Sequence, residues 1–352
     1  MAGIKSHFVP QVYLRNFGEK FFLYDRQRRK IHQSTPKTVA YKSDFYGPEI
    51  NGEHPLETTF SQIEGKTNFA LKEVIDNQIV SKTSDKNFKD LCDFIALQYL
   101  RTDEKRKQIV EMGNFALREL FSADHPEIDK KLIERLSLTD EFNLKIHLNA
   151  ISEYQTWSQV ISKMKFIVLK NKTAYPFWTS DNPVSLFNSI DYSPYSGLGP
   201  VVKGIEMHIP IEPNLTLLVC DPIMYRKFPD VLVCEKPFNV LQENWLQFDS
   251  STRFLFSNND RFFNINKFKT ITKQEHRKKK KNNSRVISGK ELQKNELKFW
   301  ADKETLTLLD PQISEKDRPP FVKANPNVEY IMTSLKRTKS IYDPKIHEVE
   351  FD

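Results

Sequence analysis

The sequence predicts an α+β protein, in which β-rich segments flank a central helical block. Three observations support this fold class. Strand-like composition comes early, at residues 20–32, apolar residues then recur at helical spacing from about residue 55 to 164, and short apolar runs separated by turns follow up to residue 257. No regular alternation of strand and helix is present, which argues against a parallel sheet built from βαβ units.

The N-terminal element is a predicted β-hairpin. Residues 20–25 have strand composition, residues 26–30 form a polar turn, and Ile31 and His32 begin a returning strand.

The helical block contains three predicted segments. The first runs from Pro55 to about residue 77, and the second is a long helix or a helix pair over residues 87–120. The third covers residues 139–164 and begins at Thr139, a typical N-cap residue.

The C-terminal β part contains several short predicted strands. KFIVLKN is one strand, YPFWTSDNPVSLF is a strand, a turn and a strand, and IEMHIPIEPNLTLLVC contains two strands around a turn. A helix at residues 238–250 precedes the strand RFLFS. The expected organisation is a single domain over residues 1–266, a basic linker or strap over 267–300, and a partly ordered extension over 301–352.

Composition narrows the class of protein. The hydrophobic fraction of 39% is sufficient for a globular core, and no apolar run is long enough to cross a bilayer. We therefore expect a soluble protein in the cytoplasm, without a membrane partner. Cys92, Cys220 and Cys234 are scattered, which favours buried apolar positions over disulfides or a zinc site.

The positive charge is concentrated in one segment. Residues 267–298 contain twelve Lys and Arg against three Glu, a surplus of nine, whereas the whole chain carries +7. A possible nucleic-acid contact therefore lies at the run Lys278, Lys279, Lys280 and Lys281, which could neutralise phosphates without reading sequence. The alternative is a solvated charged linker, since no aromatic residue interleaves these lysines for base stacking.

Several enzyme classes are not supported. The chain contains no GxGxxG, no P-loop, no GxSxG and no HExxH, which removes the usual signatures of nucleotide-binding, hydrolase and metallopeptidase sites. HFVPQ is similar to the histidine motif of ββα-metal nucleases, but Ser6 precedes His7 and neither Asn16 nor His32 has a convincing spacing.

The ordered set of motifs resembles the bacterial domain-of-unknown-function family 4238. The resemblance covers roughly residues 5–260 and is carried by HFVPQVYLRNF, DFYG, HPLETTFSQIE, LQYLRT, TSDNPV, MHIPIEPNLTLL and RFLFS. It implies a bacterial, cytoplasmic, single-domain protein and names no activity. The recurrent polar features fall here at His7, Pro10, Arg101, Ser180, Asp181, Asn182 and Pro183. Asp103 stands where the family pattern has proline, so the helix end at that point is expected to differ.

His7, Arg101 and Asp181 are the candidate catalytic residues. His7 titrates near neutral pH and could act as general base or as metal ligand. Arg101 could hold a phosphate with two N–H groups, and Asp181 could bind a metal or orient the histidine. Gln11, Tyr13, Arg15 and Asn182 are the candidate substrate-binding residues.

Each candidate also has a structural interpretation. Ser180-Asp181-Asn182-Pro183 is a composition that caps turns, and Arg101 could simply pair with Glu104, Glu57 or Glu64. A single histidine is often a hydrogen-bonded structural residue.

The function that we expect from these residues is hydrolysis of nucleic acid, as an Mg²⁺- or Mn²⁺-dependent nuclease or a toxin-like effector in bacterial phage defence. The alternative is a non-catalytic adaptor that binds nucleic acid or protein with the same residues. Geometry discriminates between them, because catalysis requires His7, Arg101 and Asp181 in one cleft.

Overall fold

The computed structural model describes residues 4–48, 55–115, 137–188, 204–263 and 265–266, and the isolated positions 117, 131 and 135. The expected basic strap and C-terminal extension lie outside these residues. The strands are β1 (Lys5–His7), β2 (Phe21–Asp25), β3 (Lys30–Ser34), β4 (Tyr41–Ser43), β5 (Lys165–Asn171), β6 (Thr179–Ser180), β7 (Ser185–Asn188), β8 (Ile205–Glu212), β9 (Leu215–Cys220), β10 (Val231–Cys234) and β11 (Phe254–Ser257).

The helices confirm the predicted central block. They are α1 (Gln11–Leu14), α2 (Pro55–Asn77), α3 (Asp85–Arg101), α4 (Asp103–Phe115), α5 (Asp140–Ser152), α6 (Tyr154–Ile161) and α7 (Pro237–Ser250). Short 3₁₀ turns follow α1 at Arg15–Phe17 and also occupy Pro36–Thr38 and Val80–Lys82.

The α+β prediction is confirmed, since the strands form sheets separate from the helical block. A five-stranded sheet has the order β10-β5-β9-β8-β7, and a four-stranded sheet has the order β3-β2-β11-β6. All neighbours in both sheets are antiparallel except β10, which pairs with β5 in parallel. β1 and β4 form a separate two-stranded ribbon.

Some element boundaries differ from the sequence prediction. The second predicted segment agrees with one of its two alternatives, a helix pair, because the backbone is extended at Thr102 between α3 and α4. The third is also divided, at Glu153, although its predicted N-cap is correct and Thr139 Oγ1 accepts a hydrogen bond from Phe142 N at 3.3 Å. The three-residue strands β1 and β4 and the edge strand β10 were not predicted, since so short a run carries little periodicity.

Helices cover both sides of the central strands, whereas the edge strand β3 is exposed. Helices α1 to α3 pack on one side in a core that includes Tyr13, Leu97 and Phe256, and α7 covers the other side through Val240 and Phe248. Cys92, Cys220 and Cys234 are free and buried, as predicted. Within the described segments, no helix is both long and apolar enough to cross a membrane.

Candidate functional site

The N-terminal segment divides into a buried and an accessible set of residues. Pro10 precedes the short helix α1, and Tyr13 and Leu14 on that helix are completely buried. The Tyr13 hydroxyl lies 2.6 Å from Thr179 Oγ1 and donates to the Pro210 carbonyl at 2.5 Å. Tyr13, predicted to bind substrate, is therefore fully occupied in joining α1 to both large sheets.

His7, Gln11 and Arg15 form a line on the accessible side. Arg15 Nη2 donates to Gln11 Oε1 at 3.4 Å, which orients the amide so that its Nε2 faces His7 Nε2 at 3.1 Å. Because an amide NH₂ group can only donate, His7 Nε2 must be the acceptor. His7 is consequently neutral in this arrangement, with its proton on Nδ1.

The environment of His7 favours the same protonation state. Burial is the largest influence and lowers its pKa, and the nearby cations Arg101 and Lys5 lower it further, while the backbone of Val39 acts in the opposite direction. A half-buried neutral imidazole beside two cations is chemically capable of accepting a proton.

Tyr41 completes this surface from the paired strand β4. Its ring centroid lies 4.7 Å from Lys5 Nζ and 5.4 Å from the centroid of the His7 ring. Register explains the contact, because Tyr41 pairs directly with His7 across the ribbon. Lys5, His7, Gln11, Arg15 and Tyr41 are named the N-terminal face from here on.

The backbone beside the N-terminal face is strained. Ala40 has φ of +51°, a left-handed conformation that costs an alanine about 1 kcal/mol, and its carbonyl accepts from Phe8 N at 3.0 Å. This bend brings Tyr41 into register with His7, and strain of this kind is concentrated at functional sites.

Arg101 lies behind the N-terminal face and is 1% exposed. Its Nη1 donates to Glu64 Oε1 at 3.0 Å and its Nε to Gln98 Oε1 at 3.1 Å. Of the three carboxylates considered as partners from the sequence, Glu64 is the one that forms the ion pair. These bonds occupy the guanidinium, so that its Nε side has no free pair of N–H groups with which to bind a phosphate.

Asp181 is 3% exposed and is bonded by the backbone of the strand that follows α7. It accepts hydrogen bonds from the amides of Thr252, Arg253 and Phe254 at 2.8 to 3.0 Å. Burial raises the pKa of Asp181 to about 6, although the three amides and Arg26 favour its charged form. The pKa of Asp181 is thus influenced by Arg26 and the backbone of residues 252–254. The pKa of His7 is influenced by a different pair of cations, Arg101 and Lys5.

Asn182 connects two of the motifs that were singled out. Its Oδ1 accepts from Thr102 Oγ1 at 2.8 Å, and its Nδ2 donates to the Ser250 carbonyl at 3.0 Å. The Arg-Thr pair and the Ser-Asp-Asn-Pro turn therefore meet at the end of α3. Asp103, which stands in place of a proline, begins α4 and pairs with Lys42 at 2.5 Å and with Lys107 at 3.0 Å.

Two further predictions concern the lysine run and a metal ion. Lys278, Lys279, Lys280 and Lys281 lie outside the described residues. Among the residues that are described, no group of three or more His, Cys, Asp and Glu side chains has an arrangement suited to a metal ion.

A buried network of residues that were not predicted as functional lies between β8 and α7. His208 Nδ1 is 3.0 Å from Glu243 Oε1, and His208 Nε2 is 3.0 Å from Glu206 Oε2. Tyr225 donates to the other oxygen of Glu206. Carboxylates accept only, so both ring nitrogens must carry protons, and the two glutamates raise the pKa of His208 to about 10 against the effect of burial. We call Glu206, His208, Tyr225 and Glu243 the buried network.

The signal for the buried network was present in the sequence. Glu206 and His208 stand two residues apart in an otherwise apolar strand, so both point to one face. Their partner Glu243 is 35 residues from His208, and only the packing of α7 on the sheet reveals it.

An open cleft of about 1130 Å³ lies between the loop after β4 and helices α4 and α5. Phe45, Leu144 and Leu148 contribute to its apolar wall. Its described lining contains four basic side chains (Lys42, Arg106, Lys107, Lys145) and five acidic ones (Asp44, Glu57, Asp103, Asp140, Glu141). This balance gives the cleft no preference for an anionic ligand, and it contains none of His7, Arg101 and Asp181.

The fold and the N-terminal face define an α+β protein with a basic and aromatic surface next to a buried arginine. Comparison with family models assigns the chain: residues 5–261 match the protein of unknown function family (DUF4238), and the chain belongs to that family. No curated protein and no solved structure matches it.

Proposed function

We propose that this protein binds nucleic acid and that the N-terminal face is its contact surface. The observation that carries the proposal is the contact of the Tyr41 ring with both Lys5 Nζ, 4.7 Å from its centroid, and the His7 ring, 5.4 Å away. An aromatic ring flanked by cationic and hydrogen-bonding groups is the arrangement that holds a base by stacking and the adjoining phosphate by charge.

Exposure supports this interpretation. Lys5 and Arg15 are exposed, and His7, Gln11 and Tyr41 are partly exposed, so all five side chains are accessible from solvent. The ion pair of Arg15 with Glu19, at 3.7 Å, joins two exposed side chains and competes weakly with a phosphate. The Lys278 to Lys281 run would add sequence-independent attraction.

Binding is favoured over catalysis by the predicted triad because two of its members are already bonded within the protein. Asp181 holds three backbone amides and Arg101 holds Glu64 and Gln98. Recruiting either to a substrate would leave buried groups without hydrogen bonds, at about 1–3 kcal/mol for each group.

The test is fluorescence anisotropy with labelled single-stranded DNA, single-stranded RNA and duplex DNA at several salt concentrations. Tyr41→Ala should weaken single-strand binding about tenfold, since stacking on an aromatic ring contributes roughly 1–3 kcal/mol per base. Lys5→Gln should lower the salt dependence by about one released counterion.

Lys163→Gln provides the matched control, because Lys163 is an exposed lysine between α6 and β5 and is not one of the five residues of the N-terminal face. Its variant should bind as the wild type does. Unchanged affinity and salt slope in both Tyr41→Ala and Lys5→Gln, with folding retained, would reject the proposed surface.

A hydrolase centred on His7 is the second candidate, and one observation favours it. The imidazole is neutral, half-buried and close to Lys5 and Arg101, so it could take a proton from water once Gln11 releases Nε2. A toxin-like role in bacterial phage defence belongs to this candidate and stays a prediction from the sequence.

Cleavage assays separate the two candidates. Wild-type protein and His7→Ala would be incubated with each nucleic acid in Mg²⁺ or Mn²⁺. Cleavage by wild type that is lost in His7→Ala, while anisotropy shows retained binding, would make His7 catalytic. Binding without cleavage in any condition would leave the non-catalytic proposal in place.

A further inference from the structure

Strand β3 (Lys30–Ser34) is an exposed edge of the four-stranded sheet and lies outside the N-terminal face. The strand order is β3-β2-β11-β6, so β2 is its neighbour on one side. Four of its five residues are exposed, and within the described part of the chain no strand pairs with its other side. A sheet edge of this kind presents backbone N–H and C=O groups that an added strand can bond.

The direction of these backbone groups follows from the hydrogen bonds of β2. Arg26 N donates to the Arg253 carbonyl, on the β11 side, at 2.9 Å. Because successive residues of a strand direct their backbone groups to opposite sides, Asp25 bonds on the β3 side, where its partner in register is Lys30. The N–H and C=O groups of Ile31, the next residue, therefore point away from β2. The same holds two residues later in β3.

The side chains of β3 alternate between two faces. Lys30 and His32 lie on one face, and Ile31 lies on the other. Ile31 is 45% exposed and stands beside the buried Tyr24, its partner in register. A strand added to this edge would thus meet a cation and an imidazole on one face and an apolar side chain on the other.

The hairpin that ends in β3 is basic and carries no acid beyond its turn. Residues 26–38 contain five Lys and Arg and no Asp or Glu. Four of the five are exposed: Arg28, Arg29, Lys30 and Lys37. Within the described residues, Arg28 alone among these four has an ion pair, at 3.9 Å from the buried Asp25. A carboxylate that approaches this edge therefore meets cations that are not neutralised by neighbouring acids.

We propose that β3 binds an extended acidic peptide as an added strand, in which carboxylates alternate with apolar side chains. The peptide backbone bonds to the outward N–H and C=O groups of Ile31 and Gln33. Its acidic side chains lie beside Lys30 and His32, and an apolar side chain lies beside Ile31. The backbone hydrogen bonds supply affinity, and the alternation of side chains supplies specificity.

The same charges disfavour a second copy of this chain as the occupant. Two β3 strands paired edge to edge would bring the basic hairpins of both copies together. Like charges on facing strands destabilise the pair, and a lysine on an edge strand is a common protection against such association. An acidic strand reverses the sign of this interaction.

The experiment measures the fluorescence anisotropy of a labelled peptide, SEVEVEG, titrated with the full chain. The control peptide SEEEVVG has the same composition and net charge but lacks the alternation. The alternating peptide should bind at least about fivefold more tightly, because it alone can place two carboxylates on one face and an apolar side chain on the other. Equal affinities, or no binding of either peptide, would overturn the proposal. Equal affinities would instead describe a basic surface that also suits nucleic acid.

Variants of β3 test the added strand itself. Gln33→Pro removes an outward N–H group and no hydrogen bond to β2, so the fold tolerates it, and it should weaken binding at least about tenfold. Gln33→Ala keeps that N–H group and should bind as the wild type does. Unchanged binding in Gln33→Pro, with its circular dichroism spectrum retained, would refute strand addition.

Lys30→Glu provides a second test that does not change the backbone. It places a carboxylate opposite the acidic side chains of the peptide and should weaken binding at least about threefold. Because Lys30 is exposed, this variant stays folded even if Gln33→Pro does not. An affinity for SEVEVEG that is unchanged in Lys30→Glu would contradict the proposed contact.

Discussion

The N-terminal face and the buried network both place a histidine beside charged groups, yet the two histidines have opposite protonation states. His7 receives a hydrogen bond from the Gln11 amide and lies near cations, so it is neutral. His208 has a carboxylate at each ring nitrogen, so it is an imidazolium. The hydrogen-bonding character of the partner decides the charge, and burial alone does not.

This difference in protonation state indicates different roles for the two histidines, ligand binding for His7 and stabilisation of the fold for His208. A neutral, partly exposed His7 can exchange its Gln11 partner for a ligand at little cost. His208 is completely buried between β8 and α7, and its charge is required by Glu206 and Glu243. We therefore expect His7 substitutions to change binding and His208 substitutions to change the free energy of unfolding.

The largest effect is expected from His208→Leu. The variant leaves Glu206 and Glu243 without the cation that neutralises them, and breaking a buried pair in this way costs about 3–5 kcal/mol. Urea unfolding monitored by circular dichroism measures the loss. His32→Leu, on the exposed strand β3, is the matched control and should change stability by less than about 0.5 kcal/mol. Equal free energies of unfolding in the two variants would contradict the structural role assigned to His208.

The next effect is a difference in pH dependence. The pKa of His208 is raised from 6.5 to about 10, so the folded state keeps a proton that the unfolded state loses above pH 6.5. Its stabilisation is complete below pH 6.5 and is lost as the pH rises through about 10. Within the described part of the chain, Glu206 on the same strand and Glu243 on α7 bond to His208, and Tyr225 bonds to Glu206.

His7 has the opposite slope, because its pKa is lowered in the folded state and its contribution is lost as the pH falls below 6.5. Both pH dependences are measured by determining the free energy of unfolding at several pH values, for the wild type and for His208→Leu. The difference between the two proteins should shrink steadily from pH 7 to pH 10. A difference that stays constant over this range would show that His208 does not hold the extra proton.

A smaller effect is expected from Asp181→Asn. One carboxylate oxygen is replaced by an NH₂ group that faces backbone N–H donors, so the fold should lose about 1–3 kcal/mol. Asp260→Asn, at an exposed position in the following loop, is the control and should be neutral. Binding to nucleic acid should be unchanged in the folded fraction of Asp181→Asn. Loss of binding at full stability would instead favour the ligand role that was predicted for Asp181.

The fold was largely predictable because its elements carry strong local signals. Phe21 to Asp25, the apolar faces of α2 and α3, and Thr139 at its N-cap each follow from local pattern. The division of one predicted strand pair between two sheets was not predictable. β6 pairs with β11 and β7 pairs with β8, although they are only a few residues apart.

The N-terminal face was only partly selected from the sequence. His7, Gln11 and Arg15 lie within nine residues and were candidates, whereas Lys5 and Tyr41 were not, because Tyr41 reaches His7 only through the pairing of β1 with β4. The partners of Arg101 and Asp181 depended on packing across large sequence separations, such as 73 residues between Asp181 and Phe254. No local pattern records a contact of that kind.

The pairing of β2 with β11 has a consequence for how the chain folds. Phe22 pairs with Ser257, and Tyr13 bonds with Thr179 and Pro210, so the earliest segments of the domain are completed by some of its last. Loop closure over such distances is slow, and the four-stranded sheet cannot be completed until β11 has been synthesised. One edge of the N-terminal hairpin, on β2, therefore stays unpaired until β11 (Phe254–Ser257) has been synthesised. Completion of the four-stranded sheet therefore depends on pairing between strands from the two ends of the domain.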